Sequence, residues 1–206
     1  MGHAVIEALT TRQRSVLRFY LDVLAKSSNV ELYRSTWRGA VEGQQYAPRD
    51  HAIARIELPV KKGLPVQFYG TLGDMEAEGQ STASHEHQFM SLVDTVTEDV
   101  VAMLSHARAH HTSLAALDSD SSFLLDEDSP MRARGYTNVL VARADLFGPF
   151  QNRNSVVIDG WPMTLLSLLP LEPQEWQVKV ERGTDALFDL FRATGRDLLS
   201  LKPVRS

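Results

Sequence analysis

The sequence predicts an α+β protein, a mixed and largely antiparallel β-sheet flanked by α-helices, and three observations carry that expectation. Apolar residues alternate at Ala52, Ala54, Ile56 and Leu58 and again at Val66, Phe68 and Leu72, which marks two strands with one apolar face each and Lys61-Lys62-Gly63 as the hairpin turn between them. Three other segments repeat with helical period: Val16, Leu17, Tyr20, Leu21 and Leu24; then Val96, Val100, Leu104 and Ala107; then Leu187, Leu190, Phe191 and Thr194. The order of these segments is helix, hairpin, strand, helix, strands, helices. Strand and helix do not alternate, so repeated βαβ units are not expected.

The first helix opens on Thr10-Thr11-Arg12-Gln13, a spacing at which a hydroxyl and a side-chain amide satisfy exposed backbone N–H groups, and it is expected to run to about Ser27. Val30 to Tyr33 reads as a short strand, and the polar stretch from Arg38 to Asp50 as a long loop. Gly70 and Gly73 read as turn residues after the second hairpin strand. Phe89 to Val93 is a further strand, and Thr95-Val96-Thr97-Glu98 caps a second helix that ends near His111. Thr112 to Gly135 is rich in Ser and Asp and lacks a period, which predicts a long surface loop. Val139 to Ala142 and Ser155 to Ile158 follow as strands, and Met163 to Leu169 is apolar enough for a central strand covered on both faces. Pro173 suits the first turn of a short helix that Gly183 ends. Thr184 caps the last helix, and Gly195 stops it.

With 206 residues, 43% hydrophobic and 23% charged, the composition is that of a globular protein, and residues 1–206 are expected to form a single domain. Twenty-one Lys and Arg against 26 Asp and Glu leave a net charge of −5, so neither nucleic acid nor an anionic membrane is an expected partner. There is no cysteine, hence no disulfide framework and no thiol nucleophile. Met1 to Glu7 shows no signal peptide and no apolar run reaches the roughly 20 residues of a membrane span, so a cytoplasmic protein is expected.

The closing block is distinctive as an ordered set. An apolar strand ends in Leu168-Leu169-Pro170-Leu171; Glu172, Glu175, Lys179, Gly183, Leu187 and Leu190 follow; Lys202-Pro203-Val204-Arg205-Ser206 ends the chain. Upstream, Ile53-Ala54-Arg55-Ile56 is followed by Pro65, Phe68, Tyr69, Thr71 and Gly73, and the residues after Phe89 lead into the Val100 to His110 helix. In this order and spacing, residues 50–206 resemble the Suppressor of fused (SUFU) domain family in its bacterial stand-alone form. Asp74-Met75 departs from the Met-Ser pair more frequent there, Gly79 to Ser84 is unremarkable, and residues 1–49, a helix and a loop, match nothing specific. The resemblance implies a noncatalytic binding domain without cofactor. For small bacterial members it implies an immunity protein that neutralises a secreted toxin domain. A regulatory adaptor that binds a peptide of a transcription factor is the alternative.

Three constellations could carry function. His85 and His87 would share a strand face and His106 and His110 a helix face, two common ways to aim ligands at a zinc or iron ion. The plainer reading puts His106, His110 and His111 near a helix C-terminus, where the macrodipole favours protonated imidazole, and no metal is expected. Asp118-Ser119-Asp120-Ser121-Ser122 begins like a calcium loop but has Phe123 where glycine is needed and Ser129 where a bidentate Glu is needed. The preferred site is electrostatic: Asp118, Asp120, Asp126, Glu127 and Asp128 have no Lys or Arg between them and form an acidic surface for a basic protein partner. Gly-x-Ser-x-Gly, Gly-x-x-x-x-Gly-Lys and a complete dinucleotide fingerprint are missing, so no enzyme is expected. Trp37, Phe147, Phe150, Trp161 and Trp176 fit a core better than an interface, and Arg132, Arg134, Arg143 and Arg153 are scattered.

Overall fold

The first helix can be traced to its cap. The structure, a computed structural model, describes residues 9–24, 29–37, 40–41, 44–45, 49–59, 65–74, 86–113 and 117–202. Helix α1 (Thr11–Val23) begins as predicted: Thr10 Oγ1 accepts the Gln13 N–H at 3.2 Å, and Gln13 Oε1 accepts the Thr10 N–H at 3.0 Å. The helix ends at Val23 with Leu24 as its C-cap, short of the predicted Ser27. The Lys61-Lys62-Gly63 turn, His85, the Gly79 to Ser84 stretch and Pro203 to Ser206 lie outside the described residues.

Strands β1 (Asn29–Trp37), β4 (Arg49–Leu58), β5 (Val66–Asp74) and β6 (Glu86–Val93) pair antiparallel in that order, while β2 (Ala40–Val41) and β3 (Gln44–Gln45) pair with each other. Helix α2 (Glu98–Ser113) follows, then β7 (Ser122–Leu124), the single-turn α3 (Pro130–Ala133), β8 (Asn138–Arg143), β9 (Ser155–Ile158) and β10 (Trp161–Leu171). The sheet order is β1-β4-β5-β6-β10-β8-β7, with β9 beside the first half of β10. All pairings are antiparallel except β6 with β10, so the sheet is mixed, as predicted.

Two predicted loops are corrected. Asn29–Trp37 is one strand of nine residues, longer than Val30 to Tyr33, and the stretch from Arg38 to Asp50 holds β2, β3 and the start of β4. As an edge strand β1 tolerates the polar Arg34, Ser35 and Thr36, which hid it from a hydrophobic pattern. Thr112 to Gly135 contains the end of α2, β7 and α3: Leu117, Phe123, Leu125 and Met131 are buried, but the Ser and Asp residues between them dilute the period.

The sheet divides two cores. On one face, α1 and the last helix cover Ala52, Ala54, Ile56, Phe68, Leu72, Met90, Leu165 and Leu169; on the other, α2 and α3 cover Ile53, Tyr69, Phe89, Val139, Val141, Leu166 and Leu168. From Leu165 to Leu171 every residue of β10 is buried, as expected of a strand covered on both faces. Gly70 is no turn residue. It lies inside β5 where Tyr20 and Phe68 pack edge to face at 4.9 Å, and a Cβ there would sit 2.8 Å from the Tyr20 ring. Gly73, at the end of β5, has the positive φ of +113° that favours glycine.

Helix α4 (Pro173–Thr194) is capped by Glu172 with Glu175; it breaks at Gly183 (φ 86°, ψ 174°) and ends on left-handed Gly195, these two as predicted. Arg196 Nε lies 2.9 Å from Glu175 Oε1, although 21 residues of unbroken helix would span about 30 Å. The two halves therefore fold back on each other. Beyond them the tail crosses the ends of the central strands: Leu199 O accepts from the Asp94 N–H (2.9 Å), the Lys202 N–H donates to Tyr136 Oη (3.0 Å), and Arg134 donates to Lys202 O (2.6 Å). Leu198 and Leu199 pack on one core and Leu201 on the other.

At the opposite end of the strands, Glu86 ties the layers together. Its carboxylate pairs with Arg12 of α1 on one face and with Arg108 of α2 (3.3 Å) on the other, and also accepts from Gln88 Nε2 at 2.7 Å. Glu86→Gln leaves two guanidinium groups facing a neutral amide and is expected to lower the unfolding free energy by about 2–4 kcal/mol in urea denaturation. Leu166→Asp, which puts an unpaired charge in the core beneath α2, is expected to cost about 4 kcal/mol or more.

Candidate partner-binding face

Among the described residues, strand β7 is the outermost strand on its side of the sheet and pairs with β8 alone, Ser122 with Leu140, Phe123 with Val139 and Leu124 with Asn138. The period of two sends Phe123 inward, against the rings of His106 (5.1 Å) and His110 (5.5 Å), and leaves Leu124 62% exposed. Ser122 Oγ accepts from Lys179 Nζ of α4 at 3.3 Å. The five predicted acidic residues lie on either side of this strand, two before it and three after.

The preceding pair is held in a tight turn. The Asp118 N–H donates to Ser121 Oγ (3.0 Å), Asp118 Oδ1 accepts the Ser119 N–H (2.7 Å), and Asp120, left-handed at φ 70°, donates its N–H to Val141 O (2.8 Å). Such self-contained hydrogen bonding is how Asp stabilises turns, and it accounts for the calcium-like spacing without a cation. After β7, the Ser129 N–H donates to Asp126 O at 3.0 Å, and Asp126 Oδ2 approaches His106 Nδ1 at 3.6 Å. Glu127 and Asp128 are exposed. Asp126 therefore faces the helix, while Glu127, Asp128, Asp118 and Asp120 face solvent beside Leu124.

His106 and His110 share a helix face as expected, with ring centroids 6.5 Å apart, and His85 lies outside the described residues, but His87 does not meet them. His87 stacks near His111 (ring centroids 4.6 Å) rather than near His106 and His110, which lie against Phe123. His111 Nδ1 accepts the Leu117 N–H at 2.9 Å, which places its proton on Nε2 and leaves neither nitrogen with a lone pair for a metal. Among the described residues no three His, Asp or Glu side chains converge as a metal site would require. The expected protonation near a helix C-terminus is also corrected. The helix continues to Ser113, and burial, helped by the basic neighbours His87, Arg108 and His110, pushes His111 down to about 4. Burial lowers His106 as well, while Asp126 and Asp128 pull it up.

Phe147 and Phe150 are buried, Trp176 is partly buried on the α4 side, and Trp161 is half exposed beneath the Arg12 guanidinium at 4.9 Å; the Trp37 side chain lies outside the described residues. Three of the four arginines tie parts of the chain together. Arg132 donates to Leu125 O, Arg134 pairs with Asp99 (2.6 Å), and Arg143 pairs with Asp145 (2.7 Å). Sequence reasoning missed Leu124, Lys179 and His106 as members of this face. The short apolar run Phe123-Leu124-Leu125 between Ser122 and Asp126 was the one local signal for β7.

No family model matches the sequence, and no curated protein does. Solved structures match its fold. A SUFU (suppressor of fused protein) homologue from Neisseria gonorrhoeae aligns with a TM-score of 0.64 at 14% identity, over 95% of this chain and 94% of that one. Drosophila Suppressor of Fused aligns with a TM-score of 0.64 at 12% identity, over 95% of this chain and 50% of that one, and the Sufu–Fu complex with 0.61 at 11%, over 95% and 91%. The chain has the Suppressor of fused fold. Coverage of 95% takes in most of the first 50 residues, so the likeness extends beyond the 50–206 span legible in sequence. Among the described residues no helix is long and apolar enough to cross a membrane.

Because Asp126 and Asp128 raise the His106 pKa against burial, Asp126→Asn should lower the His106 midpoint further in an NMR titration. Glu127→Gln should leave it in place. Unequal effects in the reverse order would mean that Glu127, and not Asp126, faces the helix.

Proposed function

We propose that this chain is a noncatalytic protein-binding domain that takes a basic protein on the acidic flank of β7. We propose further that the partner is the toxic domain of a secreted bacterial protein, which would make the chain an immunity protein acting in the cytoplasm. The observation that carries the binding role is the fold, since one of the structures sharing it is the complex of Sufu with Fu. The net charge of −5 and the solvent-facing Asp118, Asp120, Glu127 and Asp128 beside exposed Leu124 support a basic partner, because an apolar residue within a rim of one charge combines anchoring with steering. A regulatory adaptor that holds a peptide of a transcription factor shares the fold and differs in the partner. Likeness to Drosophila Suppressor of Fused favours that second reading, and a toxin gene directly upstream would favour the first.

Co-expression decides between them. The immunity reading expects cells carrying the adjacent toxin candidate to survive when this chain is present, with a stoichiometric complex recovered. Death of the cells with no complex contradicts it. Within that complex, Glu127→Lys with Asp128→Lys should slow association about tenfold at low salt and flatten its salt dependence without changing thermal stability, because rim charges act on the on-rate. Asp126 is left out of the test since it faces His106.

A further inference from the structure

We propose that the end of α4 forms a binding site for a small carboxylate that carries an apolar body, at a place that shares no residue with the acidic flank. A cavity of about 350 Å³ opens between the second half of α4 and the start of the tail, lined by Phe188, Phe191, Arg192, Gly195, Arg196 and Leu198. Clefts that take small ligands run from roughly 300 to 1,000 Å³, so this one suits a ligand at the small end. Its floor belongs to the core: Phe191 is 5% exposed, Phe188 and Leu198 pack on the same cluster, and the two phenylalanine rings meet edge to face at 5.8 Å. Gly195 makes the turn. Its left-handed backbone (φ 64°) ends the helix and sends Arg196 and Leu198 back along the cavity, and a Cβ there would meet nothing within 4 Å, so the mouth is open on that side.

Both charged groups of the lining are guanidinium groups, and one of them is fixed. Arg196 donates from Nε to Glu175 Oε1 (2.9 Å) and from Nη1 to Asp197 O (2.9 Å) and Ser200 O (3.3 Å), with the Tyr136 ring 5.8 Å from its Cζ. A guanidinium has five N–H donors, so these three bonds hold its plane and leave a donor over even where the Tyr136 hydroxyl takes one. Glu175 stands behind Arg196 and is not part of the lining, so it orients the guanidinium without filling the cavity. Arg192 pairs with Asp189 at 3.0 Å, but both side chains are largely exposed (75% and 69%), and an incoming carboxylate can compete with so weak a pair. The carbonyls that end a helix would repel an anion, yet here they are occupied: Phe191 O accepts the Arg196 N–H (2.9 Å), Arg192 O the Gly195 N–H (3.4 Å) and Leu190 O the Thr194 hydroxyl (2.9 Å). Two guanidinium groups above an apolar floor favour a carboxylate over an amine, and an apolar body over a wholly polar anion. The lining comes entirely from residues 188–198, a compact depression that fits a free small molecule better than an extended peptide.

The test is an NMR titration of the full ¹⁵N-labelled chain with phenylbutyrate, set against phenylbutyramide and phenylbutylamine, which keep the apolar body and change the charge. Phenylbutyrate should shift the amides of Phe188, Phe191, Gly195, Arg196 and Leu198 saturably in the millimolar range, and should bind about tenfold more tightly than the amide or the amine. Arg192→Glu, at a position too exposed for the fold to need it, should remove that preference. Leu198→Trp, which fills the cavity with a large ring, should abolish the shifts with all three probes while the amides of β7 keep their positions. Absence of saturable shifts with any probe overturns the site. An amide or amine that binds as tightly as the carboxylate overturns the ligand assigned to it, as does an Arg192→Glu variant that keeps the preference. Shifts centred elsewhere on the surface, or persisting in Leu198→Trp, would show contact with the probe outside the cavity and likewise overturn the proposal.

Discussion

The parallel pairing of Glu86–Val93 with Trp161–Leu171 joins two antiparallel halves, and the rest of the molecule depends on that junction. On one side stand β1, β4, β5 and β6; on the other β10, β8 and β7, with β9 alongside. Without the pairing each half would expose an unsatisfied strand edge and half of each apolar face. With it, β10 becomes an interior strand, and its run from Leu165 to Leu171 is buried against helices on both sides. The remaining elements cover what this junction creates: α1 and α4 one face, α2 and α3 the other.

Polar ties hold the two ends of the junction. Glu86, at the first residue of β6 and opposite Met163 of β10, takes Arg12 and Arg108 from the two helical layers. A charge so little exposed is stabilising only because it is paired on both sides and hydrogen-bonded to Gln88, since a single partner would leave part of its desolvation uncompensated. At the other end the tail does similar work through backbone groups, with Tyr136 and Arg134 fixing Lys202 and Asp94 fixing Leu199. The closing block on which the family resemblance rests is thus the block that seals the strand ends. The acidic flank of β7 lies outside both ties, and sequence changes there can leave this frame intact.

What was legible in the sequence was local. The capping box at Thr10, the stop at Gly195, the break at Gly183 and the alternation across Ala52 to Leu58 depend on residues a few positions apart, and each appears as read. Elements whose stability comes from elsewhere were not legible. Strand β1 is polar because one edge and much of one face meet water, and β7 and α3 are short enough that Phe123, Leu125 and Met131 make no period. Gly70 looks like a turn until Tyr20 is brought onto it from 50 residues away. The same holds at the candidate site. Five acids without a neighbouring base could be read along the chain, whereas the turning of Asp126 toward His106, the pairing of His87 with His111 and the arrival of Lys179 beside Ser122 needed the fold.

If the junction makes one cooperative frame, the two halves cannot come apart before the whole unfolds. Native-state hydrogen exchange under increasing denaturant tests this directly, by comparing amides of β5 with amides of β8, which lie on opposite sides of β6 and β10. The expected result is one shared opening free energy and one shared denaturant dependence for the interior amides of both strands. Two separate classes dividing between β6 and β10, one half opening while the other stays protected, would contradict it.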